Sequence, residues 1–138
     1  MVGLLDVNVL VALIVPEHEH HLAALKWFTT EALADGWATC AVTELGVIRV
    51  CAQLPGGSWP PERTCDELIM LKGAGGEHAF WRDAASPAAI PEIQTAKTGK
   101  QITDLYLLAL TRHRGGHLVT FDRALSTIGG SDVVSLLP

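Results

Sequence analysis

Cysteine occurs only at Cys40, Cys51 and Cys65, an odd number with no two-residue spacing, so neither a disulfide framework nor a cysteine-held zinc site is indicated. Reduced thiols of this kind fit a cytoplasmic setting. Basic residues are also scarce: 10 Lys and Arg stand against 15 Asp and Glu, a net charge of −5, so the chain as a whole is not a cationic nucleic-acid binder. No apolar run is long enough to span a membrane. The most apolar stretch, Val2 to Val15, lacks a basic flank and is interrupted by Asp6 and Asn8, which argues against a signal peptide. Repeats and low-complexity tracts are absent. What remains is 138 residues, one domain's worth, with 49% hydrophobic residues. That is apolar for a small acidic domain, and part of the surface is expected to be covered by a partner or a second copy.

Apolar patterning and turn residues divide the chain into alternating strands and helices. Val2 to Asp6 reads as a strand and Val7 to Val15 as a short helix stopped by Pro16. A second helix is expected over 18–34, with Leu22, Leu25, Phe28 and Ala32 as its apolar stripe and Gly36 as its stop. Trp37 to Val42 reads as a strand, Glu44 to Leu54 as a helix, 55–61 as a break, and Glu62 to Lys72 as a helix ended by the glycines of 73–76. An edge strand suits 77–85, and 86–101 reads as a loop over one edge of the sheet. Ile102 to His113 has basic residues in its last turn and reads as a helix. His117 to Phe121 is a strand, Arg123 to Ile128 a short helix and Val133 to Leu137 a last strand. This alternation predicts an α/β fold with three α/β/α layers and a central, mainly parallel sheet.

Four acids hold distinctive places in that pattern. Asp6 and Asp122 follow buried strands, while Glu44 and Asp104 open apolar helical stretches, so all four belong to the edge where open parallel sheets bind ligands. Each has an ordinary explanation as a helix cap or a partner of the helix dipole, a gain of about 1 kcal/mol or less. The helical faces weigh against that explanation. Three to seven residues beyond Asp104 come Leu107, Leu108 and Thr111, and beyond Glu44 come Val47, Ile48 and Cys51. Both acids therefore head core-facing stripes, where an ionised carboxylate costs several kcal/mol unless a cation or donors compensate. Converging carboxylates repel, and a divalent ion is the usual resolution.

All-oxygen donors favour Mg²⁺ or Mn²⁺ over zinc. The run His18, Glu19, His20, His21 is read as a solvated helix start rather than a metal site. Setting the four acids aside leaves a balance of −5 + 4 = −1, and Lys97, Lys100, Arg112, His113, Arg114, His117 and Arg123 then form a candidate basic rim. Thr43 before Glu44 and Thr103 before Asp104 are local echoes, each in an N-cap position that would orient its acid. Asn8 and Thr120 stand two residues from Asp6 and Asp122 and are expected to bond a carboxylate, water or phosphate.

Leu4, Leu5, Asp6, Val7 and Asn8, then Thr43, Glu44, Leu45 and Gly46, then Thr103 and Asp104, then Thr120, Phe121 and Asp122 together resemble a PIN domain. The resemblance covers nearly the whole chain, and the length is similar to that of the single-domain VapC toxins of bacterial toxin–antitoxin systems. It implies a single PIN domain over 1–138, acting as an endoribonuclease on RNA with Mg²⁺ or Mn²⁺. Asp6, Glu44, Asp104 and Asp122 would be the catalytic, metal-binding acids, with Asn8, Thr43, Thr103 and Thr120 supporting them. It further implies a homodimer, held inactive by a VapB-like antitoxin in a larger assembly. Other readings are a solitary PIN nuclease of RNA processing and an inactive PIN-like binding module, whose sign would be a missing acid. A haloacid-dehalogenase-type phosphatase would want an acid where Asn8 stands. The segment 73–99 has no mapped signature and is a candidate for choosing the RNA.

Overall fold

The computed structural model of the chain describes residues 1–74 and 76–138. β1 (Gly3–Leu5) is wholly buried, and Asp6 turns it into α1 (Val7–Ile14). α2 (His21–Trp27), a π-helical turn (Phe28–Ala32) and α3 (Leu33–Asp35) follow without interruption until Gly36, whose φ of 86° ends them. β2 (Trp37–Cys40) passes directly into α4 (Ala41–Ala52). α5 (Pro61–Lys72) begins with a proline, tolerated there because the first helical N–H has no partner in the helix. β3 (His78–Trp81), two 3₁₀ turns (Pro87–Ala89 and Pro91–Thr95) and α6 (Gly99–Arg114) come next. β4 (His117–Thr120), α7 (Arg123–Gly129) and β5 (Val133–Ser135) complete the fold.

All five strands are parallel, in the order β3-β2-β1-β4-β5. Alternation along each strand sorts the core into two layers. Leu5, Trp37 and Val119 pack with residues of α1, α2, α4 and α5, and Leu4, Ala38, Cys40 and Leu118 pack with residues of α6 and α7. The α/β/α expectation therefore holds, with a sheet that is parallel throughout. α1 and α4 touch at Gly46, where a Cβ would stand 2.5 Å from Val7 Cγ2. That close approach seats the first turn of α1, which carries Asn8.

Local hydrogen bonds moved several boundaries. α4 starts at Ala41 because Cys40 caps it, with the Thr43 hydroxyl 3.0 Å from the Cys40 N–H. Strand β2 loses 41 and 42 to that helix, and Thr43 is an interior member of a capping box rather than an N-cap. α6 starts at Gly99, where Thr98 caps it by accepting from the Gln101 N–H at 3.2 Å, so Thr103 is likewise not a cap. The expected loop over 86–101 therefore holds two 3₁₀ turns and the first residues of α6. α2 starts at His21, since the His18 ring takes the His20 N–H at 3.0 Å and holds 16–20 in turns. Gly75, in the glycine run expected to end α5, lies outside the described residues.

Candidate active site

Parallel pairing of Leu5 with Val119 brings Asp6 and Thr120 side by side at the carboxyl ends of the two central strands, and chain direction across the sheet reverses between them. Such a reversal leaves a crevice. Thr120 is fully buried and its hydroxyl is the hub of the crevice. It donates to Asp6 Oδ2 at 2.7 Å and accepts from the Asp122 N–H at 2.9 Å and from Asn8 Nδ2 at 3.3 Å. Asn8 Oδ1 accepts from the Phe121 N–H at 3.2 Å, tying α1 to the end of β4 a second time.

Asp6 and Asp122 are both helix caps and members of the cluster, one oxygen for each task. Asp6 Oδ1 accepts from the Val7 N–H at 2.8 Å while Oδ2 meets Thr120. Asp122 Oδ1 accepts from the Leu125 N–H at 3.1 Å while Oδ2 meets the Lys100 ammonium. α6 adds Asp104, only 8% exposed, whose Oδ2 lies 3.1 Å from the same ammonium. Three aspartates thus surround a crevice in which Lys100 is the cation that contacts them, among the described residues.

Burial leads the electrostatics of Asp6 and Asp104, and repulsion between the aspartates adds to it. Burial raises the Asp6 carboxyl above the usual range, outweighing the hydrogen bonds from Thr120 and Val7, and the Asp104 charge adds to the rise. Asp104 is raised for the same first reason, against the pull of Lys100 and with Asp122 adding to it. Asp122 is lowered, mainly by its hydrogen bond from Lys100. Partial burial works against the Lys100 charge, but its bonds to Asp122 and Asp104 prevail and raise it.

A cleft of about 410 Å³ opens on this cluster, lined by Asp6, Asn8, Asp104, Thr103, Lys100, Arg49 and His18 among others. Arg49, Lys100 and Thr103 are exposed. Burial, helped by neighbouring His20, lowers the His18 imidazole from its ordinary value. The histidine run is not the solvated helix start expected for it. His20 stacks on Phe121 with ring centroids 4.6 Å apart, and His21 Nδ1 donates to the Ala12 carbonyl at 2.7 Å.

Glu44 differs from the three aspartates in its contacts. Its Oε2 accepts from the Thr39 hydroxyl at 2.6 Å and pairs with the Lys72 ammonium at 2.8 Å, contacts that it shares with none of the aspartates. α5 delivers a lysine to this glutamate, a counter-charge from within the chain. Thr39 also contacts His78 Nε2 at 2.8 Å, and His78 is tilted over Trp37 at 4.5 Å. Thr43 serves the α4 capping box and Thr103 only lines the cleft.

The basic rim also changes. Arg112, His113 and Arg114 end α6 and His117 begins β4, which places them at the opposite edge of the sheet from the acids. Arg112 pairs there with Asp132 at 2.8 Å. The cations beside the acids are Lys100 and Arg49. Sequence reasoning named Lys100 only as one of the rim and did not single out Arg49. The available signal was the four-residue spacing between Lys100 and Asp104, which places both on one helical face.

Among the described residues no three histidine, cysteine or acidic side chains close on a single point as a finished ion cage. The three aspartates frame an open crevice instead. That donor set fits Mg²⁺ or Mn²⁺, since Mg²⁺ keeps several waters and takes one or two carboxylates together with substrate phosphate. No described helix is long and apolar enough to cross a membrane.

The PIN domain family model matches residues 3–130. Ribonuclease VapC39 of Mycobacterium tuberculosis is 36% identical over 141 residues, covering 99% of this chain and all of that one. Ribonuclease VapC38 of the same species is 40% identical over 131 residues, covering 91% of this chain and 89% of the relative. Among solved structures, FitAcB from Neisseria gonorrhoeae superposes with a TM-score of 0.64 at 18% identity, over 99% of this chain and 98% of that one, a likeness of fold.

Proposed function

The chain belongs to the PIN domain family and, within it, to the VapC ribonucleases, and from that premise we propose that it is a single PIN domain over 1–138 that acts as the endoribonuclease toxin of a toxin–antitoxin pair. The observation that carries the reading is the meeting of Asp6, Asp104 and Asp122 around one exposed lysine at the switch point of the sheet.

In this reading Asp6, Asp104 and Asp122 hold Mg²⁺ or Mn²⁺, and Glu44 holds β2, α4 and α5 together. The ion supplies a polarised water and a counter-charge for the scissile phosphodiester. Thr120 fixes Asp6 Oδ2 through its one proton and fixes the Asp122 backbone through its lone pairs, so the two carboxylates keep their separation as charge changes nearby. Asn8 braces Thr120 and the Phe121 amide from α1. Lys100, 68% exposed along its side chain, offers its ammonium to substrate phosphate when its two carboxylates are otherwise neutralised. Arg49 extends that positive wall.

A VapB-like antitoxin and a second copy of the chain are the partners in this reading. The exposed Leu22, Ile69 and Met70 supply apolar surface suited to such contacts. The test is to incubate purified, antitoxin-free protein with total bacterial RNA in Mg²⁺, Mn²⁺ or EDTA, beside Asp104→Asn. Cleavage is expected only for the native chain with metal. Cleavage that survives EDTA or the substitution sinks the proposal.

A further inference from the structure

The 55–61 segment reads in the sequence only as a break between helices, yet together with Arg63 of α5 it builds one wall of a second cleft of about 470 Å³. Val11, Val15, Trp59 and Arg63 shape this cleft, and the exposed Glu17 is its one carboxylate. Its volume lies within the range of about 300 to 1,000 Å³ usual for small-ligand sites. Val11 and His18 line both this cleft and the one that holds the aspartates, so the two form one trough with a waist at His18.

The chemistry along the trough is uneven in an informative way. In a chain of net charge −5, cations recur along it: Lys100 and Arg49 in the acid cleft and Arg63 in the second. The Arg63 guanidinium lies 3.7 Å from the centroid of the Trp59 ring, and its Nη1 donates to the Ser58 carbonyl at 2.6 Å. Trp59 is buried and Arg63 exposed, so the aromatic ring backs a guanidinium on a solvent-exposed residue. Guanidinium planes stack on the unpaired bases of single-stranded RNA. An apolar floor beside the plane suits the rest of a base, and the cations on either side of the waist suit the phosphates that flank it.

Resting on the ribonuclease reading, we infer that the Trp59–Arg63 cleft binds the base of a nucleotide next to the scissile phosphodiester and sets a base preference there. The backbone would run from the aspartates past His18, and the neighbouring base would stack on Arg63.

The test uses the full chain on a single-stranded RNA of randomised sequence with Mn²⁺, the cut ends being sequenced. The native chain is expected to show a base bias at one position flanking the cut. Arg63→Ala is expected to flatten that position alone and to lower kcat/KM about tenfold, the lower end of what one stacked base contributes. Arg63→Lys keeps the charge but not the plane, and is expected to lose the bias as well. Binding is read separately by fluorescence anisotropy on Asp104→Asn, where adding Arg63→Ala is expected to weaken single-stranded RNA about tenfold. A native chain that cuts RNA while Arg63→Ala keeps the same bias and affinity overturns the base site alone. So does an Arg63→Ala whose one change is loss of a bound antitoxin, which would make the cleft a protein groove. A native chain that neither cuts nor binds RNA overturns the ribonuclease reading and this one with it.

Discussion

Two carboxylate clusters sit on this sheet, and they are balanced differently. Beyond β2, Glu44 has one ammonium, Lys72, and one hydroxyl, Thr39. At the β1–β4 junction three aspartates gather, and Lys100 reaches two of them, Asp104 and Asp122. The first cluster is neutral as a pair and is complete within the chain. The second carries a surplus of negative charge at a site where burial already raises two of its acids. Position at the end of a strand or the start of a helix did not separate these cases. The count of cations delivered to each acid did.

That contrast is most directly broken by substitution on both sides of it. Asp104→Asn is expected to cut RNA cleavage by on the order of 10³-fold in a Mg²⁺ or Mn²⁺ assay, since metal and phosphate positioning both fail. Glu44→Gln is expected to keep cleavage within about tenfold of native, the loss coming from a loosened α4 and α5. Equal loss in the two variants would return Glu44 to the catalytic group. Next in size, Lys72→Met should destabilise the fold by about 1 to 3 kcal/mol in urea unfolding, because it leaves a partly buried carboxylate without its partner. Adding Glu44→Gln should recover most of that loss.

A smaller effect runs in the opposite direction at the aspartates. Asp6 and Asp104 have folded-state pKa values above their unfolded ones. Below the ordinary carboxylate pKa neither form is penalised. As pH rises through the raised values, the folded chain keeps protons that the unfolded chain has released, and stability falls. Asp122 runs the other way, stabilising the fold above its ordinary pKa and losing that contribution on acidification. Melting curves without metal from pH 4 to 8 should therefore show Asp104→Asn gaining on the native chain as pH rises, by a few degrees or about 1 kcal/mol at neutral pH. A native chain that gains on the variant over that range would show the cluster is not repulsive. Smallest of all, Lys100→Met should tighten Mn²⁺ binding a few-fold by calorimetry, since the ion no longer competes with a tethered ammonium. Weaker binding would make Lys100 part of the site rather than its counter-ion.

The sequence was most readable where short-range rules coincide with burial. β1, α1, β4 and their terminal aspartates follow from an apolar run ended by an acid, and the structure puts Asp6, Asn8 and Thr120 in one hydrogen-bonded group. Helix starts were less readable because capping was decided by Cys40 and Thr98, residues outside the apolar periodicity. The surroundings of Glu44 were hard to read for another reason. Its partner Lys72 lies 28 positions away on α5, and no spacing rule connects the two. The same holds for Arg63 on Trp59, where 55–61 announces a turn but not the cleft it walls.

The Thr120 hydroxyl has one more consequence, for the order in which the protein comes into being. It joins Asp6 to a residue 114 positions later, on the fourth of the five described strands. A nascent polypeptide emerging from the ribosome holds its first acid from the outset but has nothing to complete the crevice until β4 has been made and paired. Completion of the crevice therefore waits on the pairing of β4 with β1. A chain that stops short of β4 lacks Thr120 and Asp122 and has no complete crevice.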